Sequence, residues 1–456
     1  MTLRKTRAAK PPDPPRWRVA ALVFAASLAG APAAARAAQA PWLAISDVHY
    51  GPGPSRRPSR FGKDTNFSLL LTMLAEARLV DPNPPVVLLS GDFLAHGLPD
   101  RDATPTFVEL ARRFNETFPH AQFLITLGNN DSNCGDYQVP IDGPFLAAIA
   151  NAWEPLVNRR GAAPDFAKRF AHDGGYVARL PLPGLRVVVA NDVVGSLRYG
   201  NSCAGQVDAP AEVIAGFRRD LDAGKAGERT WVLFHIPPGI DAYSTTYLAH
   251  HLGILPFLKP SARESLDAAI TDPRHGVTLA IAGHTHKFGF RIDSNGNGHV
   301  PMLLVPSVSP IFNNGPSFLT LDVASDATLN DATEWSYVHR KWLRLGDLRA
   351  LGVARFTVPE LEALQGRLAR DPALRATFSR LYSGGGPPEI KPSNWRSYWC
   401  AVDNLSSTAY ERCTGQGGFS IITERGLLLA GFVAAPLAGL AGLFFFLRLR
   451  PKAVRP

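Results

Sequence analysis

Short runs of apolar, often β-branched residues recur along the chain, at 42–45, 86–89, 123–127, 187–190, 231–234, 279–282 and 302–305. Nearly every position within each run is apolar, which predicts strands covered on both faces rather than strands with one face in water. Helical patterns and loops rich in Pro and Gly separate the runs, and this alternation predicts a layered α/β domain. Beyond about Arg340 the pattern turns helical, with helices expected over 360–370 and 373–382 before the breaker Gly384-Gly385-Gly386-Pro387-Pro388. The organisation expected is a main domain over 38–340, a small helical subdomain over 341–415 packed on it, and a linker over 416–425.

The two ends carry different patterns. A basic stretch with Arg4, Lys5, Arg7, Lys10, Arg16 and Arg18 precedes an apolar run over 19–31 and the small residues Ala35-Arg36-Ala37. This fits a secretory signal over 1–37, the alternative being an uncleaved anchor. Residues 426–447 contain no charged side chain and are long enough, at ~1.5 Å per residue, for a transmembrane helix across a ~30 Å hydrocarbon layer. Arg448, Arg450, Lys452 and Arg455 follow in the tail 448–456, which predicts a cytoplasmic tail and a main domain outside the cytoplasm.

These ends also explain the charge. The formal net charge of the 456 residues is +9, but the terminal Lys and Arg residues account for it, leaving the region between close to neutral. A nucleic-acid partner therefore has no electrostatic support from the main domain. The cysteines, Cys134, Cys203, Cys400 and Cys413, are even in number in a chain expected to be exported. Three pairings are possible. Closeness in sequence favours Cys400 with Cys413, and elimination then leaves Cys134 with Cys203. No C-x-x-C pair suggests a thiolate metal site.

The residues just beyond each predicted strand carry the chemistry. Asp47 and His49 come after the first run, Asp92 after the second, Asn129 after the third, His235 after the run at 231–234, and His284 and His286 after the run at 279–282. In open α/β sheets the carboxyl ends of the strands share one rim where ligands bind. If Asp47 with His49, and His284 with His286, stand in extended backbone, each pair points to one side. A carboxylate can bridge two cations, and Asp92 is the residue expected to do so. Mixed nitrogen and oxygen donors without thiolate suit zinc first, or manganese or iron, over calcium. Asp293-Ser294-Asn295-Gly296-Asn297-Gly298 imitates a calcium loop, but its twelfth position is Leu304, so a hairpin turn is expected. His250 and His251 are expected in a solvated loop.

Through Asp47-Val48-His49, Gly91-Asp92, Gly128-Asn129-Asn130-Asp131, His235 and Gly283-His284-Thr285-His286, the sequence resembles the calcineurin-like metallophosphoesterases over roughly 42–340. Gly91-Asp92-Phe93-Leu94-Ala95-His96, His235-Ile236-Pro237-Pro238-Gly239 and Val305-Pro306-Ser307-Val308-Ser309-Pro310 make it most similar to the acid sphingomyelinase-like phosphodiesterases, with the helical tail extending the likeness to about Cys413. The resemblance implies a two-layer β-sandwich flanked by helices. It also implies two divalent cations, one held by Asp47, His49, Asp92 and His286 and the other by Asp92, Asn129, His235 and His284. Such a pair lowers the pKa of a shared water and clamps phosphoryl oxygens, so the nucleophile is a metal-bridged hydroxide rather than a side chain.

His96 stands where the resemblance places a histidine near the phosphate, and it is expected to protonate the leaving group. Where most of the family has histidine after the metal-binding asparagine, this chain has Asn130, which can hydrogen-bond a phosphoryl oxygen but cannot deliver a proton at neutral pH. The Gly-Asn-Asn-Asp string is similar to that of endopolyphosphatases. The expected activity is thus phosphodiester hydrolysis, with polyphosphate as the alternative substrate. A binding or sensing ectodomain that has lost activity is the non-enzymatic alternative.

Overall fold

Every apolar run becomes a strand in the computed structural model, which describes residues 40–200 and 209–415. The strands are β1 (Trp42–Ile45), β2 (Val86–Leu89), β3 (Gln122–Ile125), β4 (Tyr176–Arg179), β5 (Leu185–Val189), β6 (Arg229–Leu233), β7 (Val277–Ala282), β8 (Gly289–Asn295), β9 (Gly298–Leu304), β10 (Ser317–Val323), β11 (Leu329–Val338) and β12 (Lys341–Asp347). They form two six-stranded sheets, ordered β12-β11-β10-β1-β2-β3 and β4-β5-β6-β7-β9-β8. Both sheets are mixed. β1, β2 and β3 run parallel in the first, and β5, β6, β7 and β9 in the second, with antiparallel strands toward the edges. The expected α/β architecture is therefore present as two mixed sheets with helices.

The central strands are buried along their whole length, as their unbroken apolar runs require. Trp42 of β1 and Trp231 of β6 are both fully buried with ring centroids 5.2 Å apart, so the two sheets meet through them. Rings of this kind remove roughly 150–250 Å² each from water and dominate core energetics. β8 and β9 pair with Asn295 opposite Gly298, which makes Gly296-Asn297 the expected hairpin turn.

The helical part begins later than expected. Lys341–Asp347 is an edge strand paired with β11, exposed over its first four positions except the partly buried Trp342 and buried at Leu345 and Asp347. Helices Val358–Arg370 and Pro372–Tyr382 then form, and Gly384 and Gly385 take positive φ at the breaker. The short helices Trp395–Cys400 and Ser407–Thr414 close the described chain, joined by the Cys400–Cys413 disulfide. Cys134 is also disulfide-bonded, while Cys203, its expected partner, lies outside the described residues. No described helix is long and apolar enough to cross a membrane. The expected signal at 1–37, linker at 416–425, span at 426–447 and tail at 448–456 lie outside the described residues.

Candidate metal centre

The ends of β1, β2 and β3 are level, since Ile45 pairs with Leu89 and Leu89 with Ile125; in the other sheet Leu233 of β6 pairs with Ile281 of β7. Neighbouring parallel strands thus release their chains at one rim per sheet, and the seven expected donors lie in the segments that leave these five strands. Cross-links fix those segments to one another. Asp47 N–H donates to the Gly91 carbonyl at 3.0 Å, His49 N–H to the Asp92 carbonyl at 2.9 Å, and Gly283 N–H to the His235 carbonyl at 3.0 Å. The Val-Pro-Ser-Val-Ser-Pro segment buttresses the same place, with Val308 and Ser309 N–H donating to the carbonyls of Ser46 and Asp47, both at 3.1 Å.

The pairs Asp47 with His49 and His284 with His286 do not converge through extended backbone, as the sequence suggested. Asp47, His49, Asp92, His284 and His286 all take left-handed φ, between 42° and 65°. Non-glycine residues there carry backbone strain, which persists only where the surroundings over-determine it and which gathers at functional sites. A left-handed residue re-aims its side chain, and that is how each pair reaches one locus. Gly128 permits the closest approach: a Cβ there would collide with the side chain and backbone nitrogen of Asp92.

All seven donors come together. Asp47, His49, Asp92 and His286 form one group whose ligand atoms lie within 4.8 Å of one another, and Asp92, His235 and His284 form a second. Asp92 belongs to both. Its Oδ2 is 3.3 Å from Nε2 of His49 and 3.3 Å from Nε2 of His235. Oδ1 of Asn129 joins the second group, 3.2 Å from Nε2 of His235, while its amide donates to Asp136 at 2.7 Å, which fixes the carbonyl toward the centre.

The donor set fits two divalent cations. Nδ1 of His49 lies 3.1 Å from the Leu94 carbonyl and Nδ1 of His235 lies 2.7 Å from the Ser90 carbonyl. A carbonyl accepts, so both Nδ1 atoms carry the proton and both Nε2 atoms present lone pairs inward. Those lone pairs face each other's neighbours and carboxylate oxygens: Nε2 of His49 is 3.1 Å from Nε2 of His286, itself 3.2 Å from Oδ1 of Asp47. The Nε2 lone pair of His49 against Oδ2 of Asp92, 3.3 Å away, is repulsive unless positive charge lies between. Burial, outweighing the pull of Asp92, holds His49 at about 4 and, with the charge of His235 added, His284 at about 3, so both imidazoles are neutral. Against burial, the carboxylates of Asp92 and Asp47 lift His235 to about 10 when no cation is bound, so that a proton on its Nε2 takes the place a cation would hold.

His96 stacks on His49 with centroids 4.4 Å apart, and its Nδ1 lies 3.0 Å from Oδ1 of Asp64. Burial works against its charged form, yet the Asp64 hydrogen bond and charge raise its pKa above the ordinary value. Asn130 uses its amide on Asp92, Nδ2 to Oδ2 at 3.1 Å, and its backbone N–H on Oδ1 at 2.7 Å. It supports the shared carboxylate. The segment of His250 and His251 is part of a helix, Ala242–Leu252, rather than a loop.

Sequence reasoning missed the acids behind the donors. Buried Asp131 accepts from Phe93 N–H at 2.8 Å, Leu94 N–H at 3.2 Å and Gly128 N–H at 2.7 Å, tying the segments after β2 and β3 together. Asp192 does the same for His235 and Ile236 N–H, each at 3.1 Å. Asp64, held by Ser309 Oγ at 3.2 Å, comes from a Gly-, Ser- and Arg-rich loop with no periodic signal. A cleft of about 260 Å³ opens on the centre, lined among others by His96, Asn130, Tyr137, Arg198, His284 and Phe312.

Over 270 residues, or 57% of each chain, the sequence is 26% identical to a sphingomyelinase phosphodiesterase D of Dictyostelium discoideum. Over 259 residues, 54% of this chain and 53% of the other, it is 26% identical to the mouse (Mus musculus) acid sphingomyelinase-like phosphodiesterase 3b. The chain thus spans a little over half the length of these relatives. Among solved structures, a purple acid phosphatase from yellow lupin (Lupinus luteus) seeds superposes with a TM-score of 0.37 at 12% identity, over 68% of this chain and 53% of that one. The family model for calcineurin-like phosphoesterases matches residues 40–288, which include every one of the seven donors. The chain belongs to the calcineurin-like phosphoesterase family.

Proposed function

We propose that the protein hydrolyses phosphodiesters, with Asp47, His49, Asp92 and His286 holding one divalent cation and Asp92, Asn129, His235 and His284 the other. The observation that carries this reading is the position of Asp92 Oδ2, 3.3 Å from a histidine of each group. When bound, such cations supply a water of lowered pKa and neutralise charge on the phosphoryl oxygens. Nitrogen and oxygen donors without thiolate suit zinc, and also manganese or iron.

The chain's own residues do the rest. Asn130, through its backbone N–H and its side-chain amide, keeps the shared carboxylate in one orientation, and Asn129 is held oxygen-inward by Asp136. His96 donates the proton that the departing oxygen needs: Asp64 takes up Nδ1, which leaves Nε2 for substrate. Asn130 has no proton to give, so this task falls to His96. The Cys400–Cys413 disulfide supports work in an oxidising compartment, and thiol alkylation in cells should find both residues unreactive.

The test is to load the full chain with zinc or manganese and assay bis(4-nitrophenyl) phosphate beside a His235→Ala control. Turnover well above that control is expected. Bound metal with no turnover above it would overturn the reading.

A further inference from the structure

The ring of His286 is held differently from those of His49 and His235. Nδ1 of each of those two faces a carbonyl, whereas the buried Nδ1 of His286 has no hydrogen-bond partner among the described residues. A metal-ligating imidazole is ordinarily oriented through its second nitrogen. Here rings take over that task. His49 stacks on His286 with centroids 4.9 Å apart, and Phe312 meets His286 edge-on at 4.7 Å. Phe312 also meets His96 edge-on, at 6.3 Å.

Phe312 is 43% exposed, so burial in the core does not set its place. The loop that carries it is fixed from the helical part of the chain. Nζ of Lys287, the residue after His286, donates to the Phe312 carbonyl at 3.4 Å and pairs with Glu389 at 2.8 Å, and both charged side chains are buried. Gly315 N–H donates to the Ser383 carbonyl at 2.9 Å. The glycine breaker lies directly against the same loop: a Cβ on Gly386 would stand 2.7 Å from the Asn313 carbonyl, and one on Gly315 would run into the Gly384 carbonyl. Segment 383–389 thus grips the loop on one side of Phe312 and Lys287 on the other.

Resting on the two-cation reading above, we propose that Phe312 is a positioning residue for His286, and that the helical part of the chain holds it there through Glu389, Lys287 and the glycine breaker. The ring substitutes for the hydrogen-bond acceptor that Nδ1 of His286 lacks, and so sets the affinity of the cation group formed by Asp47, His49, Asp92 and His286. The other group, whose His235 is oriented by the Ser90 carbonyl and whose Asn129 is oriented by Asp136, does not depend on it.

The test titrates the full chain with zinc against a competing chelator, with His286→Ala and His284→Ala marking which binding step belongs to which group. In Phe312→Ala the step that His286→Ala abolishes should weaken by roughly 10- to 100-fold, the usual worth of a residue behind a metal ligand, and the step that His284→Ala abolishes should weaken far less. Phe312→Tyr keeps the ring and should restore the affinity. Glu389→Gln should weaken the same step, and should add little once Phe312 is already alanine, as two members of one chain of contacts do. Equal weakening of both steps, or of neither, would overturn the inference, as would a Phe312→Ala chain that binds both ions normally and only raises KM, since Phe312 would then be a substrate contact. The readout is ion affinity, so a chain that binds two ions but cleaves no diester fails the functional proposal and still decides this one.

Discussion

Nδ1 of His96, a residue that lines the cleft, stands 3.0 Å from Oδ1 of Asp64, 32 positions away in sequence. The carboxylate fixes the ring and favours its protonated form, and the stacking on His49 sets the ring beside the donors. A group arranged in this way can protonate an alkoxide as it departs.

Replacing His96 by alanine should therefore slow substrates with strongly basic leaving groups by about 10²- to 10⁴-fold, the usual worth of a general acid. Nitrophenyl esters, whose leaving groups need no proton, should slow far less. Kinetics on a matched pair of alkyl and nitrophenyl esters would decide it, and equal losses on both would remove the acid role.

Asp131 makes a different prediction, because it touches no part of the cleft's reacting region. Its carboxylate accepts three backbone N–H groups from the segments after β2 and β3. Asp131→Ala strands three buried donors, at a cost of about 3 kcal/mol or more in stability. Metal affinity should fall by roughly 10- to 100-fold as Asp92 and Asn129 lose their fixed spacing. Denaturant melts and metal titration measure the two effects. A variant as stable as the parent would show that the tether carries no energy.

A pH effect arises from Glu334 in β11, which is fully buried. Burial raises its pKa to about 8 from an ordinary 4.5, against the weaker opposing pulls of Ser317 and Arg380. Between those two values the folded state keeps a proton that the unfolded state has lost, so stability falls as pH rises through that window. Glu334→Gln cannot ionise. Its melting temperature should match the parent near pH 4.5 and exceed it near pH 8, by an amount on the order of a few kcal/mol in free energy. Parallel melting curves across the window would contradict this.

The donors were legible in the sequence because each comes after an apolar run that can only be a buried strand, as Asp92 does after Val86–Leu89. What the sequence hid is local. The left-handed backbone at Asp47, His49, Asp92, His284 and His286 is dictated by packing around the centre, since Asp and His tolerate that conformation more readily than most residues but do not impose it. Asp64 and Asp136 sit in loops, where periodicity is silent. β10, β11 and β12 left no clear mark because polar residues interrupt them: in Leu329–Val338 buried positions alternate with partly exposed ones, unlike the unbroken runs of the central strands. The two ends of the chain, with the expected signal and span, were read from composition alone.

Everything proposed for the site requires Asp92 to serve two cations at once. Metal analysis of the purified chain by mass spectrometry, beside Asp92→Asn, puts this to the test. About two divalent ions per wild-type chain are expected, and in the variant a loss of both affinities exceeding the roughly 100-fold upper range of changes behind the ligands. Two ions retained at wild-type affinity in Asp92→Asn would contradict it, as would a wild-type chain that binds none.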